Sequence, residues 1–135
     1  MSLPLENGPL VFLIAGEASG DMIGGRLMEA LKLTTGGRIR FAGIGGEHMT
    51  RLGLESIFPM RELSIMGIFE ILPHVPKLLC RIRQTERAVR RLSADVVVTI
   101  DSPEFNFRVA KRLKGGCIPV VHYVGPQVWA WRPGR

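Results

Sequence analysis

The stretch "VVVTIDSPEFN", residues 96–106, decides how the rest of the chain is read. Its β-branched run is a buried strand by composition, and it stops at Asp101, with Ser102-Pro103 next. Proline brings no N–H to a ladder and restricts the residue before it, so the strand ends there. A helical pattern over 104–114 follows. A carboxylate therefore stands at the end of the most apolar strand, at the point where the chain turns into a helix.

The same alternation extends in both directions. "PLVFLIAG" (9–16) reads as the first strand, followed by a helix over 21–33 with Ile23, Leu27, Ala30 and Leu31 on one face. "IRFAGIGG" (39–46) is a second strand, ahead of a short helix near 47–52. "LESIFP" (54–59) reads as a third, edge-like strand stopped by Pro59, and a weaker helical patch covers 65–72. The strongest helix is 75–92, with Val75, Leu78, Leu79, Ile82, Val89 and Leu92 at helical spacing. "DVVVTI" (95–100) is then the fourth strand and "CIPVVHYVG" (117–125) the fifth. This order predicts one α/β domain over 1–135, a Rossmann-like parallel sheet with helices on both faces. In open sheets of that kind ligands sit beyond the carboxyl ends of the strands. Glu17, Gly45-Gly46, Asp101 and Gly125-Pro126 all fall at such ends.

Hydrophobic residues make up 46% and charged residues 22%, values of a soluble globular protein, and no apolar run reaches the length of a membrane span. The opening "MSLPLENGPL" does not read as a secretory signal. Two lone cysteines, Cys80 and Cys117, fit a reducing compartment and lack metal-ligand spacing, so a cytosolic setting is expected. His48, His74 and His122 stand in unrelated contexts, and no metal site is expected. The net charge of +6 is concentrated in one place. Lys77, Arg81, Arg83, Arg87, Arg90 and Arg91 face only Glu86, which gives this helix +5. Such a patch suits a solvated face, nucleic acid, anionic lipid or a phosphorylated substrate.

Four motifs compete with structural explanations. In "AGEASGD" (15–21), Gly16 and Gly20 permit a tight turn, and Ser19 or Asp21 can cap the following helix. Capping does not explain Glu17. The loop is neither a Walker A sequence nor G-x-G-x-x-G. "GIGG" (43–46) is a weaker signal of the same kind. "SIMGIFEILP" (64–73) reads as a buried helix or as a surface for acyl chains or a bilayer. In "YVGPQVWAWRPGR" (123–135), Trp129 and Trp131 read as core residues. Asp101 itself leaves two readings open, a cap for the helix after Pro103 or a general base aimed into a cleft.

Taken in order and spacing, "AGEASGD", "GIGG" with Met49, "SIMGIFEIL", "IDSPEFN" and "YVGPQVWAWR" resemble the lipid-A-disaccharide synthase family over Val11 to Arg132. Two positions depart from the pattern, Glu104 in place of Asp and Gly125 in place of Ser. The resemblance implies an inverting glycosyltransferase of the two-domain GT-B type, of which this chain is the amino-terminal, acceptor-side half. The donor-binding half lies outside it, and the piece alone is expected to be inactive.

By the same resemblance, the substrates are UDP-2,3-diacylglucosamine and 2,3-diacylglucosamine 1-phosphate (lipid X). The products are a β-1,6 disaccharide and UDP; the UDP-sugar is a substrate, and no cofactor is implied. Asp101 is the implied base, its loop fixed by Pro103 and Asn106, with the Ser-Pro step projecting the carboxylate into the cleft. The implied substrate-binding residues are Glu17, Ser19, Gly20, Asp21, Gly45, Gly46, Met66, Gly67, Glu70, Ser102, Asn106, Pro126 and Gln127. Ile68 and Phe69 are expected near acyl chains, and Lys77, Arg81, Arg87 and Arg91 near anionic lipids of the inner membrane, on its cytoplasmic face. A homodimer of the full-length protein is implied as well. The alternatives are a non-catalytic module for anionic lipid or membrane surfaces, and a nucleotide-dependent oxidoreductase, which the missing G-x-G-x-x-G disfavours. Nucleic-acid binding is not expected, because the basic run lacks interleaved aromatics.

Overall fold

A computed structural model of the chain describes residues 8–68, 75–101, 103–124 and 127–131. The first strand, β1 (Leu10–Ala15), is buried along its whole length. Helix α1 (Ala18–Thr35) leads to β2 (Arg40–Ile44), which pairs with β1 in parallel, Leu10 opposite Arg40. Helices α2 (Glu47–Arg51), α3 (Arg61–Ile68) and α4 (Val75–Leu92) then carry the chain across to β3 (Val96–Ile100). That strand pairs in parallel with the other side of β1, Ala15 opposite Ile100. Helix α5 (Pro103–Leu113) leads to β4 (Val120–Val124), parallel to β3, and β5 (Gln127–Trp131) closes the sheet.

The strand order is β2-β1-β3-β4-β5. From β1 the chain moves outward to β2, whereas from β3 it moves outward in the opposite direction to β4. Right-handed crossovers in opposite directions place their helices on opposite faces. Along β1, Leu10, Phe12 and Ile14 pack with Leu78, Ile82 and Val89 of α4 and Phe105 and Val109 of α5. Val11, Leu13 and Ala15 pack on the other face with Met28 of α1 and Met49 of α2. Burial on both faces is why β1 and β3 read as unbroken apolar runs rather than alternating ones. The direction of winding reverses between β1 and β3, and it is beyond the carboxyl ends of the strands at such a point that open α/β sheets generally bind ligands.

Two expectations need correction. The edge strand over 54–59 is not formed; one parallel bridge, Gly43 to Ser56, is all that pairs there. Ser56 accepts from the Gly45 N–H through its hydroxyl and donates to the Phe58 carbonyl. These side-chain bonds satisfy groups that a ladder would use, and Pro59 cannot extend one. Leu54 and Phe58 are nevertheless buried. The sheet also gains a strand, β5, which runs antiparallel to β4 with Trp129 opposite His122 and Trp131 opposite Val120. The sheet is thus four parallel strands with an antiparallel edge.

The helices match their sequence patterns more closely. The chain starts α5 at Pro103, where a missing N–H costs nothing. It starts α1 at Ala18, earlier than expected, with Glu17 at the cap position making no side-chain cap bond. Residues 69–72, the second half of the helical patch expected at 65–72, lie outside the described residues. No helix among the described residues is long and apolar enough to cross a membrane.

Candidate functional site

At the carboxyl edge, Gly16 directly follows β1 and Asp101 directly follows β3, the two strands being neighbours across the point where the winding reverses. Asp101 leaves the strand with φ of 52°, in the left-handed region that Asp tolerates better than bulkier residues. That turn brings its carboxylate back across the sheet edge, where Oδ1 accepts the Gly16 N–H at 2.8 Å. Buried Asn106, from the first turn of α5, donates through Nδ2 to the Asp101 carbonyl at 2.5 Å and to the Ile100 carbonyl at 3.4 Å. The expectation that Asn106 fixes this loop is met in that form.

The carboxylate's direction differs from the sequence expectation. Oδ2 is buried and faces the first turn of α1, so that a Cβ built on Gly20 would lie 1.9 Å from it. The group lies under the helix rather than projecting outward, because only a glycine at position 20 leaves room for it there. From α3, the Ser64 hydroxyl donates to the Gly16 carbonyl. Gly16 thus ties together Asp101, β1 and α3. Sequence reasoning missed Ser64; its one signal was a hydroxyl among the apolar residues of "SIMGIFEIL".

Other expected binding residues separate into open and occupied groups. Glu17 and Ser19 are exposed at the start of α1, beside this corner. Asp21 is 4% exposed, and its carboxylate accepts three backbone N–H groups at the start of α2. Oδ1 takes those of Gly46 at 2.9 Å and Met49 at 3.0 Å, and Oδ2 that of His48 at 2.9 Å. Asp21 therefore caps α2 from a distance instead of capping its own helix. Gly46 is needed for that approach, since its Cβ would come 2.8 Å from Asp21 Oδ2. Gly45 is packed against Met49 and Leu54, whose atoms its Cβ would meet at 2.7 and 2.9 Å. Gly45 and Gly46 of "GIGG" therefore serve close packing here. Met66, Gly67 and Ile68 fall in the last turn of α3, and Gln127 opens β5. Phe69, Glu70, Ser102 and Pro126 lie outside the described residues.

The expected lipid-contacting cations also divide. Glu62 of α3 holds Arg81 through two hydrogen bonds of 2.8 and 3.1 Å, and Lys77 lies 3.6 Å from it. Arg81 further stacks 4.8 Å above the Phe58 ring and donates to Gln84. The hydrogen bonds from Arg81 hold the Glu62 carboxyl below its ordinary range, against the opposing effect of burial. Arg81 is thus half-buried and occupied within the protein, whereas Arg87 and Arg91 are exposed.

Elsewhere, an open depression between α1 and α2 is lined by Met22, Gly25, Arg26, Glu29, His48, Arg51 and Leu52, none of them an expected site residue. Among the described residues, no group of three or more His, Cys, Asp or Glu is placed to hold a metal ion.

A family model described as lipid-A-disaccharide synthetase matches residues 11–135. Among curated relatives, a lipid-A-disaccharide synthase of Rhodospirillum centenum is 54% identical over 128 residues, covering 93% of this chain and 32% of that protein. The protein of the same name from Paramagnetospirillum magneticum is 54% identical over 128 residues, 93% of this chain and 33% of its own length. That of Alcanivorax borkumensis is 52% identical over 130 residues, 96% of this chain and 34% of its own. The chain spans about a third of the length of these relatives.

Proposed function

The chain belongs to the lipid-A-disaccharide synthetase family, and from that premise we propose that it is the acceptor-side part of a glycosyltransferase of lipid A biosynthesis. The reaction is transfer of 2,3-diacylglucosamine from its UDP derivative to the 6′-hydroxyl of 2,3-diacylglucosamine 1-phosphate, giving a β-1,6 disaccharide and UDP. Donor binding is assigned to the two-thirds of the relatives' length that these residues do not span. The UDP-sugar is a substrate, and the longer protein is expected to work as a homodimer.

The observation that carries this reading is the bond between the Gly16 N–H and the Asp101 carboxylate, which places an acid where the winding of the sheet reverses. Transfer to a sugar alcohol needs a base on the attacking hydroxyl while positive charge builds at the donor's anomeric carbon. A carboxylate on a rigid strand end, with its backbone stapled by Asn106, supports that role for Asp101. To take the proton, Oδ2 must exchange its contact with Gly20 for the acceptor hydroxyl. Exposed Glu17 and Ser19 are assigned to the acceptor's other hydroxyls, and Ser102, Met66, Gly67, Glu70, Pro126 and Gln127 to the rest of the acceptor site.

The acceptor is an acylated, anionic lipid, which gives the region around α3 and α4 a task on the cytoplasmic face of the inner membrane. Ile68 and Phe69 are assigned to acyl chains, and exposed Arg87 and Arg91 to lipid phosphates. Lys77 and Arg81 contribute there only by leaving Glu62.

The test is an assay with labelled UDP-2,3-diacylglucosamine and lipid X, run on this chain alone and on the chain joined to the remaining length of a relative. Disaccharide formed by the joined protein supports the proposal; a joined, folded protein that binds lipid but makes none favours a non-catalytic lipid-binding module instead.

A further inference from the structure

Gly16 has both of its backbone groups taken by side chains from distant parts of the chain. Its N–H donates to Asp101 Oδ1 at 2.8 Å, and its carbonyl accepts from the Ser64 hydroxyl. The residue is buried, so bulk water does not stand ready to replace either partner. With no Cβ to restrict φ and ψ, the joint between β1 and α1 depends on these two bonds for its orientation.

The Ser64 bond is not the one that its place in a helix offers. A hydroxyl inside a helix commonly donates to the carbonyl four residues earlier. Thr34, Thr35, Thr50 and Thr85 all do so. Ser64 instead reaches out of α3 to Gly16, 48 residues away. The two residues before it hold the helix in place for that reach. Glu62 accepts two hydrogen bonds from Arg81 of α4, at 2.8 and 3.1 Å. Leu63 is 4% exposed, in the core shared by β1 and α4. Successive helical residues point about 100° apart. Glu62, Leu63 and Ser64 therefore fasten α3 to three separate parts of the molecule: α4, the core and the end of β1.

We propose that Ser64 is a positioning residue for Asp101. It holds Gly16 from the carbonyl side while the Asp101 carboxylate rests on the N–H side, so the place of the carboxylate is referred, through one residue, to α3. The same bond orients the Gly16–Glu17 peptide and with it the entry to α1, where Gly20 faces Asp101 Oδ2. Both carboxylate oxygens thus rest on backbone whose direction Ser64 helps to set. A general base works only within about 0.5 Å of its productive position, and a displacement of about 1 Å can cost roughly 100-fold in rate. The inference rests on the reading of Asp101 as the base, and adds to it an α3 residue that never meets the reacting atoms.

The test is a double-mutant cycle in the longer transferase, with kcat and KM measured for Ser64→Val, Ser64→Thr, Asp101→Asn, and Ser64→Val combined with Asp101→Asn. Valine and threonine have nearly the same shape, so the first two variants isolate the hydroxyl. Ser64→Val should lower kcat roughly 10- to 100-fold with KM nearly unchanged, whereas Ser64→Thr should keep most of the unmodified kcat. In the Asp101→Asn background Ser64→Val should cost little more, because no base is left to misplace. A merely structural serine would instead reduce kcat by the same factor in both backgrounds. Melting temperatures show which variants are folded; if Ser64→Val is not, Ser64→Ala, which adds no bulk, takes its place in the cycle. Normal kcat in the folded valine or alanine variant, no retention of kcat by Ser64→Thr, or equal losses in both backgrounds would overturn the proposal and leave Asp101 as the base. Normal turnover by Asp101→Asn would remove the base itself, and the inference with it.

Discussion

Gly20 and Asp101 are in contact across the carboxyl edge of the sheet: a Cβ at Gly20 would overlap the Asp101 carboxylate at 1.9 Å. The helix that follows β1 and the acid that ends β3 are fitted to each other through a missing side chain. Gly20→Ala should displace Asp101 and strain its bond to the Gly16 N–H. Overpacking of this kind costs about 1–3 kcal/mol, and in the longer transferase kcat should fall by a larger factor than KM rises. A variant with unchanged melting temperature and unchanged kinetics would show that the contact has no consequence.

Asp21 is expected to matter for folding rather than for chemistry. Asp21→Ala leaves three backbone N–H groups of the α2 entry without their acceptor, and should cost about 2–4 kcal/mol. Asp21→Asn keeps a carbonyl oxygen and should lose less. Urea midpoints measure both; a loss confined to substrate binding, with stability intact, would reassign Asp21 to the ligand.

Stability should decline on the acid side in two stages. Burial lowers the His122 pKa from 6.5, so the folded imidazole stays neutral at pH values where the unfolded one takes a proton. The stability this represents is complete above about pH 6.5 and drains away as pH falls below it. Glu62 and Glu86 add a second stage, because hydrogen bonds from Arg81 and Arg112 depress their pKa values below 4.5. Their contribution persists through neutral pH and is lost as pH drops through those depressed values. Denaturation midpoints from pH 8 to 3 should show both steps; His122→Phe should flatten the first, and Arg81→Gln should reduce the second.

Glu17 is the exposed acid at the same corner. If it orients acceptor hydroxyls, Glu17→Gln raises KM in the longer transferase with little effect on kcat. A drop in kcat alone would transfer the role of base from Asp101 to Glu17.

Periodicity carried most of the fold. Helix α4 lies where its apolar spacing put it, at 75–92, and Val96–Ile100 forms the strand expected from its β-branched run. The edge strand at 54–59 was misread because an apolar run cannot reveal that the Ser56 side chain will satisfy the backbone instead of a neighbouring strand. Strand β5 was missed because Trp129 and Trp131, two residues apart, fit core positions as well as one face of a strand.

The site was legible as a set of strand ends but not as contacts. The apolar run Val96–Ile100 announced Asp101 by its composition, yet nothing local connects Asp21 to an amide 28 residues away in Met49. Nor does spacing tell that Ser64 reaches the Gly16 carbonyl, 48 residues distant. Asp101 was placed correctly along the chain, while the side of the edge it faces depended on Gly20, 81 residues before it.

The most direct test of the account is the turnover of Asp101→Asn in the longer transferase, measured alongside its melting temperature. Loss of a general base predicts a fall of about 10²–10⁴ in kcat, a barrier higher by roughly 3–5 kcal/mol, with the fold retained. A folded variant that turns over at nearly the unmodified rate would contradict it.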